Sequence, residues 1–141
     1  TNVVPQYLAK SSVKSKLFDP ISRKYNKFTD LENLDAILNY KAIDEFCSQP
    51  EMICPVMPSL TEGCTPLYYP IYVNDRRELQ NYLSSKNIFC PVIWPKPSML
   101  NDIDENTKYM YEHMLCIPID QRYSYEDMKR IGLTLKEYYQ K

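Results

Sequence analysis

The chain has 141 residues, 17 basic and 18 acidic, with a mean hydropathy of −0.48, so it fits one domain able to bury a core. The balanced charge and the lack of a Lys/Arg run speak against nucleic-acid binding. No apolar run approaches a membrane span, and the start has no signal-peptide pattern. Glycine occurs only at Gly63 and Gly132, which excludes glycine-rich phosphate cradles.

Residues 1–29 mix Lys, Ser, Asn and Pro with isolated apolar residues such as Val3, Tyr7, Leu17 and Phe18. They read as an irregular lead-in whose apolar side chains dock on something else. The chain opens on Thr1 rather than Met, so it is expected to be cut from a longer protein. Thr29 and Glu32 have capping-box spacing, and Leu31, Leu34, Ile37 and Leu38 recur at helical spacing, which predicts a helix over 30–46. Pro50, Pro55, Pro58 and Gly63 mark a loop over 47–65.

"PLYYPIYV" (66–73) predicts a strand that Pro70 confines to an edge or a bulge. Asn74 is the expected cap of a helix over 75–86 with Leu79, Tyr82 and Leu83 facing inward. "NIFCPVIW" (87–94) predicts a second strand, 103–114 a short helix and "LCIPI" (115–119) a third strand. Ser124, three before Asp127, opens a terminal amphipathic helix with Met128, Ile131, Leu135 and Tyr138 on one stripe. The order predicts an α+β fold: a small, mainly antiparallel sheet of three or four strands with helices packed on one face.

Five scattered cysteines with no C-x-x-C pair, and no N-x-S/T sequon, favour a reducing, cytoplasmic setting. Each cysteine reads as a small buried hydrophobe. With His113 the only histidine, neither a metal site nor a Ser/His/Asp or Cys/His catalytic set can be assembled, and His113 is expected to be solvent-exposed on a polar helix. The turn Asp120-Gln121-Arg122-Tyr123 could hold an anion through Arg122 or fix its own loop by side-chain hydrogen bonds; the second reading is preferred. In "FCPVIWPKP" (89–97) three prolines stiffen a segment that presents Trp94. No complete active site emerges, which suits a binding module or the minor domain of a larger enzyme.

Three stretches carry a resemblance: 63–97, "MLCIPIDQRYSYEDMKRI" (114–131) and, more faintly, "LDAILNYKAI" (34–43). A helix reading R-x-x-L-x-x-x-L from Arg76 (or Arg77) through Leu79 and Leu83, then a segment ending in Trp94-Pro95, then the "IPIDQRY" turn, resembles the C-terminal region of the DegT family of sugar aminotransferases, which depend on pyridoxal phosphate (PLP).

The resemblance implies the small domain of type I PLP enzymes over 30–141, with 1–29 crossing from a missing large domain. The cofactor lysine and most cofactor contacts would belong to that domain, so the isolated chain should bind no cofactor and be inactive. The implied partners are the large domain, a second copy in a homodimer and a nucleotide-linked keto sugar. Trp94 and Lys96 would line the substrate rim, Lys96 as a point charge for a phosphate; packing of Trp94 in the interdomain seam is the plainer role. Ile93 stands where the family commonly has a histidine, and the family's helix signature survives as Asn39-Tyr40. The rival reading is a stand-alone, non-catalytic binding or interaction domain on the same fold.

Overall fold

The computed structural model describes residues 34–48, 51 and 53–140. The expected lead-in 1–29 and the Thr29 cap lie outside the described residues. Helix α1 runs through residues 34–47, followed by β1 (Cys54–Pro55), β2 (Tyr68–Tyr72), α2 (Arg76–Ser85), α3 (Glu105–His113), β3 (Met114–Pro118) and α4 (Tyr125–Tyr139). The sheet is antiparallel with strand order β1-β2-β3.

β2 is therefore the central strand, although it carries Pro70, which was expected to confine it to an edge or a bulge. The register explains why a proline is tolerated. Tyr69 lies opposite Ile117 and Ile71 opposite Leu115, and the β2–β3 ladder continues outward through Val73 N to His113 O (3.1 Å) and Ile119 N to Leu67 O (3.3 Å). Residues 67, 69, 71 and 73 thus turn their backbone groups to β3. Pro70 turns the other way, where its carbonyl accepts from Val56 N at 3.0 Å. The missing N–H faces the two-residue strand β1, so no bond of the main ladder is lost. By the same alternation, Pro118 turns its nitrogen away from β2.

Tyr69, Ile71, Val73, Leu115, Ile117 and Ile119 share one sheet face and are fully or almost fully buried. They join a core with Tyr40, Ala42, Ile43 and Cys47 of α1, Leu79 and Leu83 of α2, and Met128, Ile131 and Leu135 of α4. Helix α3 runs into β3 with no residue between them, and its Tyr109 ring lies 5.4 Å from Tyr72, on the alternate register of β2.

Several expectations need correction. Residues 87–94 form no strand; Pro91 offers no donor, and the backbone bond from Cys116 N to Pro91 O (3.2 Å) ties the segment to the outer edge of β3. Leu34 and Leu38 are about half exposed, at 48% and 51%. The inward face of α1 is instead Ala36, Asn39, Tyr40, Ile43 and Cys47, and Gly132 of α4 lies against the Phe46 ring. Asn74 does not cap α2: Asp75 occupies the N-cap without a capping bond, its carboxylate accepting instead from Tyr139 Oη at 2.9 Å. Tyr82 does turn inward, its ring 5.1 Å from that of Tyr138.

His113 is not a free surface group. Its Nδ1 lies 3.0 Å from Val73 O and its ring 4.2 Å from that of Tyr109. Cys47, Cys90 and Cys116 are buried as expected, but Cys54 and Cys64 are exposed because they lie on the short β1 strand and in the following loop. Burial pushes the Cys47 and Cys90 thiols up, the latter to about 12, which keeps them protonated and inert.

Candidate functional site

The turn after β3 is built from a buried carboxylate and an exposed guanidinium. Asp120 is 2% exposed, and its carboxylate accepts from Arg122 Nε at 2.7 Å and Nη2 at 2.9 Å, with Arg122 N at 3.1 Å as a third donor. Such a bidentate fork fixes the guanidinium plane. The Arg122 side chain is otherwise 72% exposed. The Arg122 hydrogen bonds hold the Asp120 carboxyl below the usual carboxylate range against the opposing effect of burial.

The same turn is held from α1. Asn39, 3% exposed, donates from Nδ2 to Tyr123 O at 2.8 Å, Ile119 O at 3.2 Å and Asp120 O at 3.3 Å. One side-chain amide thus serves three carbonyls that enter and leave the turn. Tyr40 packs on Tyr69 with ring centroids 5.0 Å apart and donates to Met57 O. The turn then passes into α4 through a reciprocal capping box, Ser124 Oγ accepting from Asp127 N and the Asp127 carboxylate accepting from Ser124 N at 2.8 Å.

Because its folded-state pKa is lowered, Asp120 contributes stability fully above the ordinary aspartate pKa of about 3.9 and loses it as pH falls through the lower folded value. The wild-type chain should therefore lose stability more steeply below about pH 4 than Asp120→Asn does. Urea titrations from pH 6 downward check this, and parallel acid limbs in the two proteins would count against it.

The segment with Trp94 is positioned by the end of α2. Asn87 adopts φ 58°, the left-handed conformation that follows many helix C-termini, and Ile88 N returns to Leu83 O at 2.9 Å. Ile88 and Cys90 are buried, and Gln80 Nε2 donates to Cys90 O at 2.8 Å. Beyond this anchorage the chain turns outward: Trp94 is 63% exposed and Lys96 is exposed.

Between this segment and the turn lies an open groove of about 360 Å³, lined by Tyr68, Ser84, Phe89, Pro118, Arg122 and Tyr123 among others. Among the described residues, Arg122 is its only charged lining residue. A second groove of about 400 Å³ on the α1 side of the turn is lined by Arg122 and Asp35 among others. Trp94 and Lys96 line neither, so the three residues singled out in the sequence do not converge on one cavity.

The described residues do not fit a PLP site. Lys41, Lys86, Lys96, Lys108, Lys129 and Lys136 are all exposed, whereas an imine-forming lysine is activated by desolvation or by a neighbouring cation.

No protein-family profile and no curated protein sequence matches the chain. Solved structures do. DesV of S. venezuelae, in complex with a ketimine intermediate, superposes with a TM-score of 0.73 at 14% identity over 86% of this chain and 35% of that one. The sugar aminotransferase CalS13 of Micromonospora echinospora gives a TM-score of 0.67 at 15% identity over 77% of this chain and 31% of its own. A DegT DnrJ EryC1 StrS aminotransferase of Brucella abortus gives 0.65 at 16% over 78% and 32%. The chain spans about a third of each of these proteins. It has the fold of one portion of them, the same kind of protein that the motifs in 63–131 resemble.

Proposed function

We propose that the chain is the C-terminal small domain of a DegT-type, PLP-dependent aminotransferase acting on a nucleotide-linked keto sugar. The observation that carries the reading is a coincidence of two independent signals. The "IPIDQRY" motif (117–123) forms the Asp120–Arg122 turn pinned by Asn39, within a fold shared with DesV over 86% of this chain. That the chain covers only 35% of DesV supports a missing large domain.

In this reading the large domain supplies the imine-forming lysine, and the cofactor supplies the electron sink for amino transfer. This chain closes over the substrate, contributes to a homodimer surface and is inactive alone. Trp94 and Lys96 stand on the stiff outward loop at the substrate rim, with Lys96 offering a cation to a phosphate.

The test is the mass of the native polypeptide in source cells, detected with an antibody against this chain, followed by assays of the whole protein for PLP absorbance and amino transfer. A species well over twice this length that binds PLP and aminates a nucleotide-linked keto sugar supports the proposal. A native species of this length overturns it and leaves the stand-alone binding domain.

Trp94 gives a second check. It is 63% exposed, so Trp94→Ala should change the stability of the chain by no more than about 0.5 kcal/mol. In the intact enzyme the same change should raise KM for the sugar. A large stability loss in the isolated chain would place the indole in the core instead.

A further inference from the structure

We infer that the outer face of α1 is a self-association surface, on which a second copy of this chain docks about a two-fold axis at Leu38. The inference uses residues of this chain alone, so it holds or fails without the amino-transfer reading.

The apolar pattern comes first. Leu34 and Leu38 are one helical turn apart and 48% and 51% exposed, while α1 buries Ala36, Tyr40, Ile43 and Cys47 on its other side. Lys41, also exposed, continues the same stripe one turn further on. Tyr125, at the start of α4, lines the same groove as Leu38 and is 58% exposed. Leu38 thus joins Leu34 and Tyr125 in one apolar surface that the core does not use, the kind of surface that marks a protein contact. The groove beside Leu38, about 400 Å³, leaves room for incoming side chains between α1 and the turn before α4.

The charges name the occupant. A two-fold interface presents the same patch from both sides, so the patch must complement itself. Asp35 lies three residues before Leu38 and Lys41 three after it, both exposed. Two copies of α1 that cross in opposite directions, Leu38 on Leu38, bring Asp35 of each to the level of the partner's Lys41. One apolar contact is then flanked by two ion pairs. Parallel alignment would instead set like charges together, which electrostatic repulsion disfavours. Among the described residues the ion pairs are Arg122–Asp120 and Lys129–Glu126, so Asp35 and Lys41 are not committed within the chain.

Sedimentation equilibrium of the 141-residue chain, from about 5 µM to about 1 mM, tests the inference. The expected result is a reversible monomer–dimer equilibrium with no larger species, because a two-fold contact closes on itself. Leu38→Arg should give a monomer at every concentration with its circular dichroism unchanged, since this side chain is half in solvent. Asp35→Lys and Lys41→Asp should each weaken the dimer about tenfold or more. Mixing these two variants should form a heterodimer of about wild-type affinity, because both ion pairs return with their signs exchanged.

A chain that stays monomeric at about 1 mM would overturn the inference and leave this face to another part of the protein. A dimer that survives Leu38→Arg would overturn it as well, placing the contact elsewhere, for instance at the exposed Phe89, Trp94 and Met99. Charge variants that stay apart on mixing would do the same.

Discussion

Gly132→Ala should destabilise the fold by about 1–3 kcal/mol, whereas the same change inside an ordinary exposed helix stabilises by about 0.5–1 kcal/mol. Gly132 lies within α4, and a Cβ placed there would stand 2.2 Å from Phe46 Cγ, 2.4 Å from Cδ2 and 2.7 Å from Cδ1. Cγ is the root of the ring, so a small rotation cannot relieve the overlap. Either α1 and α4 separate or Phe46 leaves its position. Overpacking of this kind outweighs the helix propensity that alanine brings.

Urea unfolding gives the sign directly. The double variant Phe46→Ala/Gly132→Ala should recover much of the loss, because removing the ring makes room for the new methyl group. A stabilised Gly132→Ala protein, or strictly additive losses in the pair, would show that the two helices do not meet at this point.

Asn39→Ala should cost about 2–3 kcal/mol and lower the melting temperature by several degrees. The carbonyls of Ile119 and Tyr123 would lose their Asn39 donor, while Asp120 O would keep Tyr123 N at 3.0 Å, and an unsatisfied buried polar group costs about 1–3 kcal/mol. Asn39→Asp should be worse, since a carboxylate would then face those same oxygens. Thermal melts at neutral pH decide the matter. A change of less than about 0.5 kcal/mol in Asn39→Ala would mean that water or another donor replaces the amide.

The strands and helices that depend on local pattern could be read from the sequence. The Tyr/Ile/Val-rich run at 66–73 and the short apolar run at 115–119 mark β2 and β3, and Ser124 with Asp127 marks the start of α4. What depends on pairing partners could not. Pro70 argues for an edge in isolation, and only the β2–β3 register shows its missing donor facing away from the main ladder. Residues 87–94 have strand composition, yet Pro91 interrupts the row of donors that a ladder needs. Leu34 and Leu38 look like core because they recur at helical spacing, but the buried face of α1 runs through Ala36, Asn39, Tyr40, Ile43 and Cys47.

The site divides in the same way. Asp120 and Arg122 are two residues apart, so their pairing is a local property that the turn composition suggests. Asn39 reaches Asp120 O across 81 positions, and its one signal was an amide among apolar helix residues beside Tyr40. The convergence of Phe89, Tyr68 and Arg122 on one groove required three separate segments to be folded together.

Pro55 and Pro118 have a consequence beyond their own strands. Each stands on an outer strand of the sheet and, by the alternation of the register, lacks the amide that would point outward. A strand from another molecule, seeking to extend the sheet, would find an interrupted row of donors on both sides. The outer side of β3 is further occupied at Cys116 by the proline-rich segment. A three-stranded open sheet is ordinarily a template for edge-to-edge growth and fibril formation. Here the two prolines act as gatekeepers, so this domain should resist amyloid-type aggregation even while its apolar Phe89 and Trp94 stand in solvent.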